Sequence, residues 1–399
     1  MMEPCSGFTP DTLEQPCLTM QDKRRWSIGL PAATKGGESR FPLTPEGVEL
    51  LVNKGLTVMM QKGASSPIHY SDAAYERAGA IVTDRIQALK CDMVISPGGL
   101  DEADVRHMRR GAMLLTLYYS VVESKSIVQA LLERAIVCVA IDLVEDEDGH
   151  TPFADILHEI AGRASLAVAS SLLTDPVYGK GILLSGIAGI VPCEVTILGS
   201  GIGACAAARA AMGLGVTVRM FDNDTYSLRE SVRQLGRGVI SSALHPHVLE
   251  GALRSADVVL ATPMRTLYTV DASTAALMKR RVMCFDLNPC HGHVFQSLPH
   301  VNLSAGNDKV LAASSSQVCY TNVECRVPRT VAMALSNAFV TMMDGLQACG
   351  ECLTASAILR QMPGVRHGVL TFMGKPMHES VARLVEMRCG DLGLFLTLS

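Results

Sequence analysis

The chain reads as an α/β protein made of two Rossmann-like domains, and three observations carry that reading. Short apolar strands alternate with helical segments from Trp26 to Ile141. A glycine turn joins a second strand–helix–strand unit over residues 195–222. The length of 399 residues, with 48% hydrophobic and 19% charged side chains, is enough for two sizeable cores. Such alternation implies mainly parallel sheets, because consecutive parallel strands need a crossover helix between them.

The elements follow in order. Residues 1–25 carry Pro4, Pro10, Pro16 and a Lys23-Arg24-Arg25 run without periodicity, and read as a flexible extension. A strand over Trp26–Pro31 precedes a helix from Thr44 to Lys54, stopped at Gly55, where a residue that tolerates positive φ ends a helix. A strand over Leu56–Gln61, a loop at 63–71 and a helix over Asp72–Ala78 come next. Strands at Met93–Ile95, Met113–Leu117 and Ile136–Ile141 complete this unit, and the acidic turn Glu145–Gly149 closes it. Phe153–Leu173 has helical spacing and reads as a long connector into the second unit. That unit continues through strands Asp257–Ala261 and Arg281–Asp286, and the helix Val331–Leu346 leads away from it. Internal repeats and low-complexity tracts are absent from the sequence.

The most informative stretch is VTILGSGIGACAAARAAMGLGVTVRMFD at 195–222. An apolar run ends in Gly199-Ser200-Gly201-Ile202-Gly203-Ala204, an Ala-rich helix follows, and a second strand ends at Asp222. This is the order of a dinucleotide-binding unit. Gly199 permits the tight turn, and Gly201 lets backbone N–H groups approach a pyrophosphate. Ala204 is small enough for close helix-to-strand packing, and the helix N-terminus favours an anion. Asp222 would accept the adenosine ribose hydroxyls and repel a 2′-phosphate, which favours NAD over NADP; Arg219 lies too early to reverse this. A structural glycine turn without cofactor is the competing reading.

Composition narrows the partners. A net charge of -4 argues against a general nucleic-acid binder, and no run of like charge suggests a polyanion or membrane surface as partner. No apolar stretch reaches spanning length without interruption, and the N-terminus lacks signal-peptide character. The 13 cysteines are odd in number, scattered and mostly set in apolar runs, as in a reduced, cytoplasmic protein. Cys349-Gly350-Glu351-Cys352 has redox spacing without redox context, and His245-Pro246-His247 reads as a solvated turn. Cys284, Cys290, His291 and His293 match no zinc spacing, so no metal site is expected.

Several stretches, in order from about Trp26 to Met343, resemble the alanine dehydrogenase and transhydrogenase α-subunit family: IGLPAATKGGESRFPLTPEGVELL, GASSPIHYSDAAYERAGA, HEIAGRASLAVA, GKGILLSGIAGI, the glycine-turn unit and NVECRVPRTVAMALSN. The tail MPGVRHGVLTFMGKP with GDLGLFL is similar to the C-terminal extension of bacterial alanine dehydrogenases. The resemblance implies a central NAD-binding domain, 152–329, inserted in a discontinuous substrate domain made of 26–151 and 330–399. It also implies a homo-oligomer, dimer or hexamer, and oxidation of L-alanine with NAD and water to pyruvate, ammonium and NADH. A small amino acid or 2-oxo acid is then the ligand, with neither nucleic acid nor membrane as partner.

Carried over residue by residue, the family's site is altered. Arg40 falls on the arginine that contacts the substrate carboxylate, a task suited to its planar fork. Asn322 falls on an asparagine near the nicotinamide and substrate. By themselves these two residues read equally as a turn arginine and a loop asparagine. The family lysine has no counterpart in Cys91–Gly99, Tyr119 stands where the family has its acid/base histidine, and Cys290 replaces its aspartate. An ordinary phenol titrates near pH 10 and is a poor base. His291, beside the expected nicotinamide end, could take over as acid/base or be a plain loop histidine. The expectation is an amino-acid dehydrogenase with an altered catalytic set: Arg40, Tyr119, His291 and Asn322. The alternative is a weak or inactive NAD-binding relative that senses nucleotide or serves in assembly.

Overall fold

A computed structural model describes residues 26–34, 38–266, 268–289, 294–304, 310, 317–347 and 354–398. Residues 1–25, Cys290 to His293 and Cys349 to Cys352 therefore lie outside the described residues, and with them the readings placed there.

Two separate sheets form. The first holds β1 (Ser27–Leu30), β2 (Thr57–Gln61), β3 (Ile81–Thr83), β4 (Met93–Ile95), β5 (Met113–Thr116) and β6 (Val137–Ala140) in the parallel order β6-β5-β4-β1-β2-β3. The second is parallel throughout: β7 (Glu194–Leu198), β8 (Thr217–Phe221), β9 (Val239–Ser242), β10 (Val258–Ala261), β11 (Met283–Asp286), β12 (His300–Asn302) and β13 (Val318–Thr321) run β12-β13-β11-β10-β7-β8-β9. In both, strand order reverses beside the first strand of the unit, leaving a crevice at the carboxyl ends of the strands. The chain end then returns: β14 (Val369–Phe372) joins the first sheet antiparallel to β6, and β15 (Lys375–Pro376) pairs antiparallel with β14 at its edge.

The strands form where the sequence is a continuous apolar run, because helices cover both faces. β4, β5 and β6 are buried at every position, as are β10 and β11. Thr44 caps the helix Pro45–Asn53 by accepting from the Gly47 N–H at 3.3 Å, and Pro45 occupies the first turn, where a missing N–H costs nothing. One expected loop is a helix: His245 is the N-cap and Pro246 the first residue of the helix Pro246–Ser255, since proline suits a first turn as well as it suits a loop.

Two long helices tie the halves together. Pro152–Thr174, 23 residues, is long and apolar enough to span a membrane by length and composition, contrary to the interrupted pattern expected. Asp155, His158, Glu159 and Arg163 all lie in its N-terminal half, and half of its most apolar window is buried inside the protein, the behaviour of a core helix. It meets the second tie, Pro328–Gln347, through Phe153 and Phe339, whose rings lie 4.8 Å apart.

Pro152–Thr174 also crosses the glycine-turn helix Ile202–Gly213 at very short range. A Cβ on Gly162 would lie 2.2 Å from the Gly203 carbonyl oxygen, and one on Gly203 would lie 2.9 Å from the His158 oxygen. Gly203 thus serves a helix crossing, and Ala204, fully buried, serves the packing against the sheet.

Candidate functional site

The glycine turn has the form its sequence suggests. Gly199 sits at φ 109°, and a Cβ there would meet the Thr262 hydroxyl at 2.1 Å, so only glycine fits. At Gly201 the space is open: a Cβ would find only the Pro263 oxygen, at 4.0 Å. Ile202 opens the 12-residue helix, and Ser200 donates to the Asp222 carboxylate at 2.7 Å. Asp222 is buried just past the end of β8 and also accepts from the Asp224 N–H at 2.9 Å. Arg219 turns away to pair with Glu194 at 3.2 Å. An open cradle over a helix N-terminus with a buried acid beside it has the form of a dinucleotide site, and exposed Arg265 pairs with Asp224 at 3.3 Å next to that acid.

A cavity of about 460 Å³ lies between the two sheets. The first sheet contributes Leu117, Tyr118 and Tyr119 after β5, and Asp142 and Leu143 after β6; the second contributes Leu287, Asn288 and Pro289 after β11, and Asn322 and Glu324 after β13. Thr151, Ala154, Leu157 and His158 of the long helix form the floor, and Arg40 joins from the loop after β1. Both crevices therefore open onto one cleft.

Arg40 is buried, and its charge is already engaged. Its Nε and Nη2 donate to the two carboxylate oxygens of Glu38 at 2.8 and 2.5 Å, and Nη2 also donates to the Tyr119 hydroxyl. Burial disfavours charge on both partners; the mutual attraction outweighs it, holding Glu38 below the usual carboxylate range and Arg40 firmly protonated. One edge of the fork is thus filled by Glu38. Nη1 makes no hydrogen bond among the described residues.

Tyr119 is far from a base. Burial pushes its phenol well above the usual value, more than the facing Arg40 pulls it down. Asn322 adopts the left-handed conformation, φ 61°, at the start of the turn of helix Val323–Arg326, and its amide donates to Asn302 at 3.3 Å. The Ser39 hydroxyl donates to the Cys325 carbonyl at 3.2 Å, tying the Arg40 loop to that turn. Of the four expected catalytic residues, Arg40, Tyr119 and Asn322 line the cleft together, while His291 lies outside the described residues.

Three cleft residues, Asp142, His158 and Glu324, escaped the sequence reading, as did the pairing of Glu38 with Arg40. The Glu38–Arg40 spacing was visible, but nothing in a loop predicts that its two side chains pair. Asp142 accepts from the Tyr118 N–H at 2.8 Å, and burial, partly offset by that bond, pushes its carboxyl up to about 6. His158 is held low by burial, against the pull of Glu324 and Asp155.

Two parallel-sheet bodies that share one cleft, with a dinucleotide cradle on one wall, define a class of nicotinamide-nucleotide-dependent oxidoreductase folds. The comparisons name the family. The pattern described as "Alanine dehydrogenase/PNT, N-terminal domain" matches residues 29–163, and "Alanine dehydrogenase/PNT, C-terminal domain" matches 165–379. The chain belongs to the alanine dehydrogenase/PNT family, whose C-terminal domain binds NAD(P) in its members. The alanine dehydrogenase of Mycolicibacterium smegmatis is 28% identical over 378 residues, 92% of this chain and 99% of that protein. A solved L-alanine dehydrogenase superposes with a TM-score of 0.78 at 24% identity, covering 90% of this chain and 99% of that one. A transhydrogenase from Sinorhizobium meliloti gives 0.68 at 16% identity, covering 88% and 99%. The last two likenesses speak to the fold.

Proposed function

We propose that the protein is an NAD-dependent amino-acid dehydrogenase, nominally converting L-alanine, NAD and water to pyruvate, ammonium and NADH, with an altered catalytic set. The observation that carries this is Arg40: a buried, permanently charged guanidinium whose Nη1 end is left for an anion, in a cleft that both sheets line with the carboxyl ends of their strands. The body containing β1–β6, β14 and β15 is then the substrate domain, and the body containing β7–β13 the NAD-binding domain. Gly199, Ser200, Gly201, Ile202, Gly203 and Ala204 would hold the pyrophosphate, and Asp222 the adenosine ribose. The engagement of Arg219 by Glu194 supports NAD over NADP.

The cofactor supplies a hydride acceptor; the chain's own residues bind and orient. Arg40 fixes the carboxylate of an α-amino or 2-oxo acid, Glu38 holds the guanidinium in place, and Tyr119 offers a neutral hydroxyl. Leu117, Leu143, Ala154, Leu157 and Leu287 exclude water around the reacting carbon.

The second reading, an inactive NAD-binding relative, has its own support: Glu38 fills one edge of the arginine fork, and no lysine lines the cleft among the described residues. NADH formation at 340 nm with a panel of amino acids, beside calorimetric NAD titration, separates the two. Turnover that Arg40→Ala lowers at least 100-fold in kcat/KM is expected, because the variant loses a charged contact to the ligand. NAD binding without turnover on any amino acid would leave the second reading standing.

We read the assembly as a homo-oligomer. The segment between the long helix and β7 leaves Val177, Leu183, Ile190 and Val191 exposed at 71, 54, 65 and 87%, and a second copy of the chain is the partner that would cover it. The free cysteines, mostly buried, accord with a reducing compartment such as the cytoplasm.

A further inference from the structure

We propose that Asp142 is the proton-transfer group of this site, replacing the absent family histidine in the amino-acid dehydrogenase reading, on which the assignment rests. Among the cleft's titratable groups the geometry sets aside Glu38 and Tyr119 and leaves two carboxylates, Asp142 after β6 on the body that carries Arg40 and Glu324 after β13 on the other. Glu38 is locked bidentately on Arg40, and Tyr119 is a buried neutral phenol that accepts from Arg40. His158 also lines the cavity, from the long helix, with its backbone carbonyl packed against Gly203, and the His158→Gln variant separates its role from that of Asp142.

Asp142 stands on the Arg40 side. It follows β6, next to the β5 end that carries Tyr119, and one of its oxygens is anchored by the Tyr118 N–H at 2.8 Å. The carboxyl also accepts from its own backbone N–H, and the residue lines the cavity. An α-amino acid carries its carboxylate and ammonium on neighbouring atoms, so the group that takes the ammonium proton must stand beside the carboxylate clamp. Asp142 satisfies this: it is close enough for the Arg40 charge to act on it.

In the step, a proton passes from the substrate ammonium to the Asp142 carboxylate. The α-hydrogen leaves with its electron pair as hydride to the nicotinamide dinucleotide, and the nitrogen lone pair forms the C=N bond of a protonated imine. Water converts the imine to the oxo acid and ammonium with no net change in protons, and Asp142 releases its proton to solvent. The charged and titratable groups facing Asp142 are Tyr118 and Tyr119 after β5, Arg40 with Glu38, His158 of the long helix and Glu324 after β13. A carboxyl that burial lifts to about 6 is ionised at neutral pH yet basic enough to accept a proton there.

The test is the pH profile of kcat/KM for the best amino acid, in the wild type, Asp142→Asn and His158→Gln. The wild-type rate should fall below pH about 6. Asp142→Asn should lower kcat/KM by roughly 100- to 10,000-fold and remove that limb, with calorimetric NAD affinity unchanged as the sign of an intact fold. Infrared titration of the protein without substrate should show a carboxyl band near pH 6 that Asp142→Asn deletes. An acid limb that survives Asp142→Asn, or that vanishes instead in His158→Gln, overturns the assignment while leaving a dehydrogenase. So does a missing carboxyl band. A wild type that oxidises no amino acid removes the dehydrogenase reading and the role of Asp142 together.

Discussion

At the scale of single residues, the cleft is shaped by what burial does to charge. Arg40 and Glu38 tolerate it because each neutralises the other through two hydrogen bonds, whereas Asp142 is held only by the N–H groups of Tyr118 and of its own backbone, with no charged bidentate partner. Its raised pKa has a stability consequence whose sign follows from linkage. Below the unfolded-state value near 4 both states are protonated and no penalty arises. As pH rises toward 6 the unfolded chain releases its proton first, so the folded state loses stability and stays penalised at higher pH. Asp142→Asn is therefore expected to stabilise the protein by on the order of 2 kcal/mol at pH 8 and by little at pH 4, read as a pH-dependent difference in urea midpoints. Arg40 was legible in the sequence through its motif. Asp142, His158 and Glu324 were not, because each stands alone in its local stretch and gains meaning only from neighbours more than a hundred residues away, such as Arg40.

At the scale of elements, the crossing of Pro152–Thr174 over Ile202–Gly213 couples the cleft floor to the cofactor cradle. Gly162 and Gly203 set how near the two helices come, since side chains at either position would strike backbone rather than flexible atoms. Gly162→Ala should thus cost about 1 to 3 kcal/mol by overpacking. It should also weaken NAD binding, because the Gly203 carbonyl it displaces belongs to the turn itself; differential scanning calorimetry and an NAD titration on the same variant check both effects. Strands β1, β2, β4–β8, β10 and β11 and the two long helices were readable from apolar runs and spacing, whereas β3, β9 and β12–β15 were not expected. The helix beginning at Pro246 was hidden because His-Pro-His carries the same local preferences in a turn and in a first helical turn. The roles of Gly162 and Gly203 in the crossing were equally hidden, since a helical glycine reveals its neighbour only when the other helix is in place.

At the scale of the whole molecule, two parallel sheets place the carboxyl ends of their strands on one cleft, and the two long helices hold them there. In the proposed reading, dinucleotide and substrate chemistry fall to different bodies. The apolar segment 177–191 lies outside both cores, and covering it with a second copy predicts a concentration-dependent assembly. Ile190→Glu combined with Val191→Glu should shift sedimentation velocity to smaller species without changing NAD affinity; an unchanged distribution would remove this face from the interface.

The amino-acid sequence by itself determined the α/β class, the glycine turn with its terminal Asp222, the family and the position of Arg40. These depend on local spacing: apolar runs, glycines at fixed offsets and motifs that lie within a few dozen residues. Only the tertiary structure decided that the Arg40 fork is half filled by Glu38 and that Arg219 turns to Glu194. It alone brought Asp142, His158 and Glu324 to the same cavity. Those outcomes depend on which side chains meet across strand ends far apart in the chain, and on how much water the closed cleft leaves around each charge.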